Sequence, residues 1–333
     1  MKVAVLGATG AVGRTMLAVL EERRFPVEQL VLLASARSAG TTLPWRGREW
    51  PVREPSADAF AGCGVALFSA GATRSREWAP VAAEAGAVVI DNSSGWRMHP
   101  GVPLVVPEVN AAAAAERPLG IIANPNCATI QLVVALAALH GEGGLRRVVA
   151  TTFQSVSGAG QTGLDALASE LSGRPAPDSP FVAPIAGNVI PWIGPRGEDG
   201  WNEEERKIRL EARKILDLPE LPVAATCVRV PVRRGHAMSV SVELERPLAA
   251  TAAAAVLARA GVVVHDGGRD PFPLEVAGSD AVHVGRLRAD PDVPGTLHMW
   301  IVADNLRKGA ATNAVQIAET LAPARPVPVV DHA

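Results

Sequence analysis

The chain has 333 residues, 32 basic and 34 acidic side chains, and a formal net charge of −2 at pH 7. This balance excludes the basic footprint of a nucleic-acid-binding protein. No apolar run reaches the roughly 20 residues of a transmembrane helix, so a membrane partner is excluded as well. The length predicts about two domains.

The cysteine and histidine patterns indicate the cellular compartment of the protein and whether a metal site is expected. The three cysteines, at positions 63, 127 and 227, are odd in number and far apart. This favours a reducing cytoplasm over a disulfide or zinc framework. The seven histidines show no paired helical spacing, so we expect no metal site. A signal peptide is excluded because three glycines and Arg14 interrupt the apolar N-terminal stretch.

The first predicted element is a buried strand over residues 3–6, followed by a glycine-rich turn and an amphipathic helix to residue 20. This order is typical of a dinucleotide site, where glycines let the backbone approach a pyrophosphate at a helix N-terminus. The pattern alone is weak, because glycine turns also serve α/β folds structurally. The cofactor contacts predicted here are Gly7, Thr9, Gly10, Ala11, Val12 and Gly13.

The end of the second predicted strand, over residues 30–34, indicates which dinucleotide is bound. An NAD site usually carries an acid at this point, which holds the ribose 2′-hydroxyl. Here the chain has Ser35, Arg37 and Ser38 instead. A guanidinium flanked by hydroxyls suits a 2′-phosphate, so the sequence favours NADP(H), with an ordinary polar turn as the alternative.

The remaining predicted elements divide the chain into two parts with different strand patterns. Short apolar strands over residues 65–69, 88–91 and 121–123 alternate with helices, which predicts a parallel, doubly wound, Rossmann-like sheet. Longer β-branched runs over residues 147–153, 224–232, 239–245 and 296–303 predict a second α+β domain with a mixed, mostly antiparallel sheet and helices on one face. We expect an ordered loop over residues 172–200, which are dense in proline and glycine, and an alanine-rich helix over 249–260.

A last helix, over residues 310–321, is expected to return to the first domain. The domains predicted are therefore residues 1–126 plus 310–333 for NADP binding, and residues 127–309 for catalysis and dimerisation.

The most informative stretch is Asn124-Pro125-Asn126-Cys127, which precedes a long apolar run. It places a thiol where a helix begins, and the unpaired N–H groups and positive dipole end there favour a thiolate. The alternative is a small core residue that happens to lie at a helix start. The functional interpretation predicts that Cys127 is a nucleophile.

Further motifs occur in a fixed order, and together they resemble the bacterial aspartate-β-semialdehyde dehydrogenase family across nearly the whole chain. They are Ser69-Ala70-Gly71, Asp91-Asn92-Ser93-Ser94-Gly95-Trp96-Arg97, Val106-Pro107-Glu108-Val109-Asn110, Asn124 to Cys127, Gln154-Ser155-Val156-Ser157-Gly158-Ala159-Gly160, Asn188-Val189-Ile190-Pro191, Glu204 to Lys207, Arg229 to His236, and Asp304 to Gly309.

The resemblance implies an enzyme that converts L-aspartyl-4-phosphate to L-aspartate-4-semialdehyde with NADPH and releases phosphate, on the route to lysine, diaminopimelate, threonine, methionine and isoleucine. Cys127 would form a thioester, and backbone N–H groups around Asn126 and Cys127 would meet the charge on the carbonyl oxygen. His236 would act as acid and base at that oxygen, and Gln154 would orient the carbonyl.

The same resemblance assigns each of four charged residues to one group of the substrate. Arg229 would pair with the α-carboxylate and Glu204 with the α-ammonium, while Arg97 and Lys207 would hold the phosphate. For Glu204 and Lys207 the alternative is a solvated helix face with ordinary ion pairing. The resemblance also implies one further substrate contact and six further cofactor contacts: Ser157 for the substrate, and Ser69, Ala70, Gly71, Asn92, Gly158 and Asn305 for NADP(H).

Two other functions stay open on the sequence. N-acetyl-γ-glutamyl-phosphate reductases share the thiol and NADPH chemistry but usually have glycine before the cysteine, where this chain has Asn126. A non-catalytic NADP-binding paralogue should have lost the thiol or the histidine, yet Cys127 and His236 are both present. The resemblance further implies a homodimer formed through the sheet of the second domain.

Overall fold

The computed structural model describes residues 1–321. Its strands are β1 (Lys2–Leu6), β2 (Gln29–Leu33), β3 (Thr42–Trp45), β4 (Arg48–Arg53), β5 (Val65–Phe68), β6 (Val88–Asp91), β7 (Ile121–Ala123), β8 (Leu145–Gln154), β9 (Val223–Arg229), β10 (His236–Leu244), β11 (Val263–Val264), β12 (His283–Ala289) and β13 (Thr296–Ala303). Its α-helices are α1 (Ala11–Glu22), α2 (Ala57–Phe60), α3 (Ala72–Glu84), α4 (Pro107–Asn110), α5 (Cys127–Gly143), α6 (Gly160–Leu171), α7 (Glu203–Leu216), α8 (Ala250–Arg259), α9 (Pro273–Val276) and α10 (Thr312–Leu321).

The first sheet has the strand order β3-β4-β2-β1-β5-β6-β7, and its pairs are parallel except for the β3–β4 hairpin. Its central strands are apolar on both faces, because alternate residues of β1 belong to different core clusters. The strand order reverses between β1 and β5, at the point where open α/β sheets bind ligands.

The second sheet has the order β11-β12-β13-β10-β8-β9 and is antiparallel except at β8–β9 and β11–β12. Helix α5 covers it and shares a core cluster with β8 and β10. The expected fold class, a Rossmann-like domain with a second α+β domain, is confirmed. Among residues 1–321, the strands β3, β4, β11 and β12 were not predicted from the sequence.

Helix α10 lies on the first sheet. Its residues Ala314, Val315 and Ile317 pack in one cluster with Val3 of β1 and Met16 of α1. This packing supports a discontinuous first domain, which stays a prediction. Residues 322–333, also assigned to that domain, lie outside the described residues.

The segment over residues 172–200 forms turns and isolated bridges, as expected for an ordered loop. Glu170 holds it, because its Oε2 accepts hydrogen bonds at 2.7 Å from the N–H groups of Ile185 and Ala186. A bridge between Ile190 and Arg229 then brings the end of the loop to β9 and so to the cleft described below.

Candidate active site

The turn after β1 is built on glycines for steric reasons. Gly7 has φ +86°, and a Cβ there would lie 2.3 Å from the carbonyl oxygen of Ser69. A Cβ on Gly13 would lie 2.2 Å from the carbonyl oxygen of Gly7. The close approach of β1, α1 and β5 therefore requires both residues, and it leaves the N-terminus of α1 open toward a ligand.

A cleft of about 380 Å³ opens at this edge, at the carboxyl ends of β1, β2, β4 and β5. Six of the predicted cofactor contacts line it: Gly7, Thr9, Gly10, Ser35, Ser69 and Ala70. Thr9 Oγ1 also hydrogen-bonds Ser38 Oγ at 3.3 Å. Ala11 starts α1, Gly13 packs inside the turn and Gly71 precedes α3. Arg37 is exposed beside the cleft rather than among its lining residues.

A second cleft, of about 340 Å³, lies between the two sheets. Most of the remaining predicted residues meet there: Val12, Asn92, Arg97, Asn126, Cys127, Gln154, Ser157, Gly158, Glu204, Lys207, Arg229 and Asn305. Ser69 lines both clefts, so the two are adjacent. Residues as far apart in sequence as Val12 and Asn305 thus converge beside one thiol.

Cys127 is the first residue of α5, and Asn126 is its N-cap. Asn126 Oδ1 accepts hydrogen bonds from the N–H groups of Ala128 at 2.9 Å and Thr129 at 3.2 Å. This cap fixes the start of the helix and hence the position of the thiol. On the other side, a π-helical turn over Arg307–Ala311 brings Gly309 so close that a Cβ there would lie 3.1 Å from Cys127 Cβ.

The surroundings of Cys127 oppose the thiolate that the sequence predicts at this helix start. Burial raises the pKa of Cys127 to about 12, and the negative charge of Glu204 adds to the rise. Arg229 and Arg97 act in the opposite direction without cancelling it. These effects favour the thiol over the thiolate at neutral pH, so Cys127 must lose its proton before it can act as a nucleophile.

Glu204 lies at the centre of a hydrogen-bonded group. Its Oε1 accepts from Asn126 Nδ2 at 2.8 Å and from Gln154 Nε2 at 3.2 Å, and its Oε2 lies 3.5 Å from Lys207 Nζ. Burial raises the pKa of Glu204, but the charge of Lys207 and these hydrogen bonds outweigh it, so the pKa lies below its ordinary value. The helix face is thus not simply solvated, since Glu204 is a buried carboxylate.

Arg97 is buried and held by three contacts. Its Nε donates to the Asn124 carbonyl at 3.0 Å, its Nη2 to the Asn92 carbonyl at 2.8 Å, and its Nη1 lies 3.1 Å from Glu211 Oε1. The other oxygen of Glu211 accepts the N–H of Asn126 at 2.6 Å. The expectation that this N–H stabilises the substrate oxygen is therefore wrong, because a buried carboxylate already occupies it.

Lys207 and Arg229 complete the positive lining of the cleft. Lys207 Nζ lies 2.8 Å from Glu203 Oε1. Burial lowers the pKa of Lys207, but Glu204 and Glu203 outweigh it and hold this pKa above its ordinary value. Arg229 is buried and donates through Nη1 to the Ser155 carbonyl at 2.6 Å. The cleft therefore presents three cations and one carboxylate around the thiol, which fits an anionic substrate that also carries an ammonium group.

His236 is fully buried at the start of β10, behind the wall of the second cleft. Its Nδ1 accepts the N–H of Ser155 at 3.1 Å. Its Nε2 lies 3.2 Å from the point that a Cβ of Gly158 would occupy, and Gly158 lines the cleft. The ring thus reaches the cleft through the space that a glycine leaves.

Known proteins match the sequence of this chain along almost its entire length. The semialdehyde dehydrogenase NAD-binding domain matches residues 2–117, and the semialdehyde dehydrogenase dimerisation domain matches residues 136–308. The aspartate-semialdehyde dehydrogenase of Aquifex aeolicus is 50% identical over 96% of this chain and 97% of that protein. The chain belongs to the aspartate-semialdehyde dehydrogenase family.

Solved structures agree with this assignment. The aspartate semialdehyde dehydrogenase II of Vibrio cholerae, solved in complex with ASA, has a TM-score of 0.93 and 48% identity, covering 96% of this chain and 97% of its own. The Candida albicans enzyme, solved with NADP, has a TM-score of 0.75 and 26% identity over 96% and 98%. The resemblance inferred from the ordered motifs is confirmed, and the N-acetylglutamyl and non-catalytic alternatives are not favoured.

Two absences apply to residues 1–321 only. No helix in this range is long and apolar enough to span a membrane. No group of three or more histidine, cysteine or acidic side chains in the same range is placed to hold a metal ion.

Three further residues hold side chains of the site in position, and the sequence motifs did not assign them a role. Glu211 holds Arg97 and the Asn126 N–H, and Lys214 Nζ donates to the carbonyl groups of Arg97, His99 and Val102 at 2.7–3.1 Å. Ser155 contacts His236. Glu211 could have been found from its spacing, because it follows Glu204 by seven residues and so lies on the same helix face.

Proposed function

We propose that the chain catalyses the reversible NADPH-dependent reductive dephosphorylation of L-aspartyl-4-phosphate to L-aspartate-4-semialdehyde, through a thioester on Cys127. The observation that carries this proposal is one cleft that holds the thiol, a buried carboxylate and three cations beside a dinucleotide cleft. An acyl phosphate with an ammonium and a carboxylate matches this set of charges.

The first step joins Cys127 to the acyl carbon. Arg97 and Lys207 hold the phosphate, Arg229 pairs with the α-carboxylate, and Glu204 accepts from the α-ammonium. The ammonium then neutralises the charge of Glu204, which is one of the causes of the high pKa of the thiol. Substrate binding thereby favours ionisation of the sulfur that attacks it.

The second step reduces the thioester, with hydride as the contribution of NADPH. Gln154 orients the carbonyl, and Ser157 lines the same part of the cleft. The Nε2 of His236 lies at the gap left by Gly158 and would face the carbonyl oxygen there, which supports the acid and base role expected from the sequence. Asn126 acts through its cap of α5 and its bond to Glu204 rather than through its own N–H.

The residues around the first cleft fit NADP(H). The glycine turn would admit the pyrophosphate, and Ser35, Arg37 and Ser38, at the end of β2, would hold the 2′-phosphate. Near the thiol, Asn92 Oδ1 is buried and has no hydrogen-bond partner among the described residues, although Asn92 lines the second cleft. This oxygen would accept a hydrogen bond from the carboxamide N–H group of a bound nicotinamide.

We also propose a cytoplasmic homodimer. The dimerisation domain carries the second sheet, whose open face presents Val149, Phe153 and Trp300 as partly exposed apolar side chains. An isologous contact between two such faces would bury them. The three cysteines are free thiols, a state that a reducing compartment maintains.

The decisive assay follows phosphate-dependent reduction of NADP⁺ with L-aspartate-4-semialdehyde and, separately, with N-acetyl-L-glutamate 5-semialdehyde. We expect turnover only with the first aldehyde, and none with either aldehyde for Cys127→Ala, which should still bind NADPH. Preference for the acetylated aldehyde, or turnover by Cys127→Ala, would refute the proposal.

The phosphate assignment has its own test in the same reverse reaction. Replacing Arg97 or Lys207 by alanine should raise the KM for inorganic phosphate far more than the KM for NADP⁺. The double variant should be non-additive, because both side chains contact one dianion. Unchanged phosphate kinetics in Lys207→Ala would mean that Lys207 belongs to a solvated helix face and does not contact the phosphate.

A further inference from the structure

Lys308 is a buried cation that no step of the proposed reaction uses. It belongs to the ordered Asp304 to Gly309 motif, and the residue is only 1% exposed. Its Nζ contacts four oxygens, which are the two of Glu108 at 2.6 and 2.7 Å, Asn313 Oδ1 at 2.9 Å and Gln316 Oε1 at 2.8 Å. Burial of an ammonium is costly unless it is paired and hydrogen-bonded, so this set of partners indicates a defined role.

The partners of Lys308 belong to two helices. Glu108 lies in α4, whereas Asn313 and Gln316 lie in α10. Gln316 Nε2 also donates to Glu108 Oε1 at 3.1 Å, so the two helices contact each other around the ammonium. Burial raises the pKa of Glu108, but the charge and hydrogen bonds of Lys308 outweigh it and hold this pKa below its ordinary value. Glu108 is therefore a carboxylate at neutral pH and a counter-charge for Lys308.

The backbone next to Lys308 brings Gly309 against the nucleophile. The turn Arg307–Ala311 is π-helical, a form that occurs in short pieces and frequently at functional sites. Its Gly309 N–H donates to the carbonyl of Asp304, five residues earlier, at 3.0 Å. A Cβ on Gly309 would lie 3.1 Å from Cys127 Cβ and 3.4 Å from Cys127 Cα, so the turn packs directly on Cys127. Because Lys308 precedes Gly309, its anchoring determines how closely the turn approaches Cys127.

A second route leads from Lys308 to the turn before Cys127. An ammonium only donates, so Oδ1 of Asn313 faces Nζ and the Nδ2 group of Asn313 points to its other partners. This Nδ2 donates to Asn124 Oδ1 at 2.7 Å and to the Val105 carbonyl at 3.0 Å. Lys308 thus fixes the orientation of the amide that holds Asn124, three residues before the nucleophile.

We propose that Lys308 is a positioning residue for the nucleophile Cys127. Its pairing with Glu108 fixes the π-helical turn to α4 and α10. The nucleophile is thereby held from two sides, through Gly309 and through Asn313. Lys308 lines neither cleft, so it acts only through the position of the sulfur. The inference rests on the proposed function, in which that sulfur must meet the acyl carbon in the correct geometry.

Kinetics of two variants test this role in the phosphate-dependent oxidation of L-aspartate-4-semialdehyde. Lys308→Met keeps an unbranched side chain and removes the ammonium. The double variant Glu108→Gln/Lys308→Met also removes the counter-charge, so it leaves no unpaired charge that could prevent folding. We expect kcat to fall at least tenfold in both variants, because a displacement of about 1 Å can lower a rate roughly 10²-fold, while the KM for NADP⁺ stays within twofold. Wild-type kcat in the folded variants would overturn the proposal.

Arg307→Met is the matched control on the same turn. Arg307 also forms ion pairs, but its partners are Glu22 and Asp280. The control should lower the stability of the protein while keeping kcat within twofold of wild type. Equal losses of kcat in Arg307→Met and Lys308→Met would overturn the proposal, because any weakening of the turn would then have the same effect.

Alkylation by iodoacetamide separates a local effect at the thiol from general unfolding and needs no turnover. Burial is the largest cause of the raised pKa of Cys127. Release of the turn should admit water to this thiol, so Lys308→Met should label Cys127 at least threefold faster than wild type, as measured by mass spectrometry. Cys63 and Cys227, which are buried, should keep their wild-type rates. A parallel rise at all three cysteines, or an unchanged rate at Cys127, would overturn the proposal.

Gly309→Ala and Asn313→Leu test the two routes separately. The added methyl group would press on Cys127, whereas leucine fills the space of asparagine without its hydrogen bonds. The pair of Lys308 and Glu108 stays intact in both variants. We expect kcat to fall in each, and wild-type kcat in both would overturn the positioning role. Absence of phosphate-dependent turnover in the wild-type protein would instead refute the proposed function, and the alkylation rates would still decide whether Lys308 positions the thiol.

Discussion

At Cys127 two electrostatic effects oppose each other, and their sizes decide the result. A helix N-terminus stabilises an anion by about 0.3–1 kcal/mol, which is less than the roughly 1.4 kcal/mol of one pKa unit. Burial and the charge of Glu204 raise the pKa from 9.0 to about 12, so the helix does not keep the thiol ionised. Reactivity of the sulfur consequently depends on what occupies the cleft.

Glu204→Gln should therefore make the unliganded thiol more reactive while impairing catalysis. Removal of the negative charge favours the thiolate and lowers the pKa of Cys127, so alkylation by iodoacetamide at pH 7–8 should become faster. Turnover should fall, because the substrate ammonium loses its partner. Glu203→Gln is the control, since this more exposed neighbour also pairs with Lys207. Equal alkylation rates for wild type and Glu204→Gln would exclude this electrostatic coupling.

Glu211→Gln tests the carboxylate that joins Arg97 to the Asn126 N–H. Both partners are donors, so the new amide directs an N–H at one of them and leaves the buried Arg97 without its counter-charge. Breaking such a buried pair costs about 3–5 kcal/mol, which urea unfolding should detect. The KM for phosphate should also rise. A variant as stable as the wild type with unchanged phosphate kinetics would show that Glu211 does not position Arg97.

At the scale of elements, α7 shows how one helix supplies a site and part of the core. A capping box between Asn202 and Glu205 fixes its first turn, and Glu205 Oε1 also accepts the N–H of Cys227 at 3.1 Å. The same helix then presents Glu204, Lys207 and Glu211 to the cleft side. The register of the substrate-binding side chains is thus set at the cap.

Asn202→Ala should affect both stability and substrate binding. Loss of an N-cap costs about 0.5–2 kcal/mol, and fraying of the first turn should move Glu204, so the KM for aspartate semialdehyde should rise. Ser56→Ala, which removes the cap of the remote helix α2, should reduce stability without changing that KM. Identical KM values for Asn202→Ala and wild type would mean that packing alone holds the start of α7.

Three of the strands that were not predicted from the sequence contain residues or backbone conformations that are unusual within a strand. Strands β3 and β4 contain Pro44 and Pro51, which argue against a strand in a sequence pattern although an edge hairpin tolerates them. Strand β12 carries Gly285 and Arg286, the latter with φ +50°, at an irregularity in its pairing with β13. The apolar strands of both sheets were predictable because burial on two faces leaves a continuous hydrophobic run.

At the scale of the whole molecule, ion pairs tie α1 and α10 to the second domain. Arg307 pairs with Glu22 of α1 and, at 2.7 Å, with Asp280. Arg23, the residue that follows α1, pairs with Glu319 of α10 at 2.6 Å. Burial raises the pKa of Asp280, but Arg307, Thr312 and Arg23 outweigh it and hold this pKa below its ordinary value.

This network predicts a pH dependence with a defined sign. Because the folded-state pKa of Asp280 is depressed, its stabilisation is present above the ordinary aspartate pKa of about 3.9 and is lost as the pH falls through the folded pKa. The difference in unfolding free energy between wild type and Asp280→Asn should therefore shrink on acidification below about pH 4. Asp178→Asn, on the exposed loop, serves as control. A difference that stays constant with pH would exclude this linkage.

Some properties of the site depend on contacts between residues that are distant in sequence, and these properties could not be predicted from the sequence. Cys127, Arg97 and Lys207 were predictable because each belongs to an ordered motif. The lowered pKa of His236 was not, since it arises from complete burial of the ring and from the positive charge of Arg229. The occupied N–H of Asn126 likewise became visible only when α7 was placed against α5.

The hydrogen bond from Asn313 Nδ2 to Asn124 Oδ1, at 2.7 Å, joins α10 to the turn before Cys127 across 189 positions of sequence. Asn313 also donates to the Val105 carbonyl at 3.0 Å, so α10 braces the floor of that turn. On the ribosome, this bracing cannot form until residue 313 has left the exit tunnel, after the second sheet has been synthesised. A nascent chain therefore displays the thiol before α10 supports the turn that carries it, and the surroundings of Cys127 are complete only once that helix has packed.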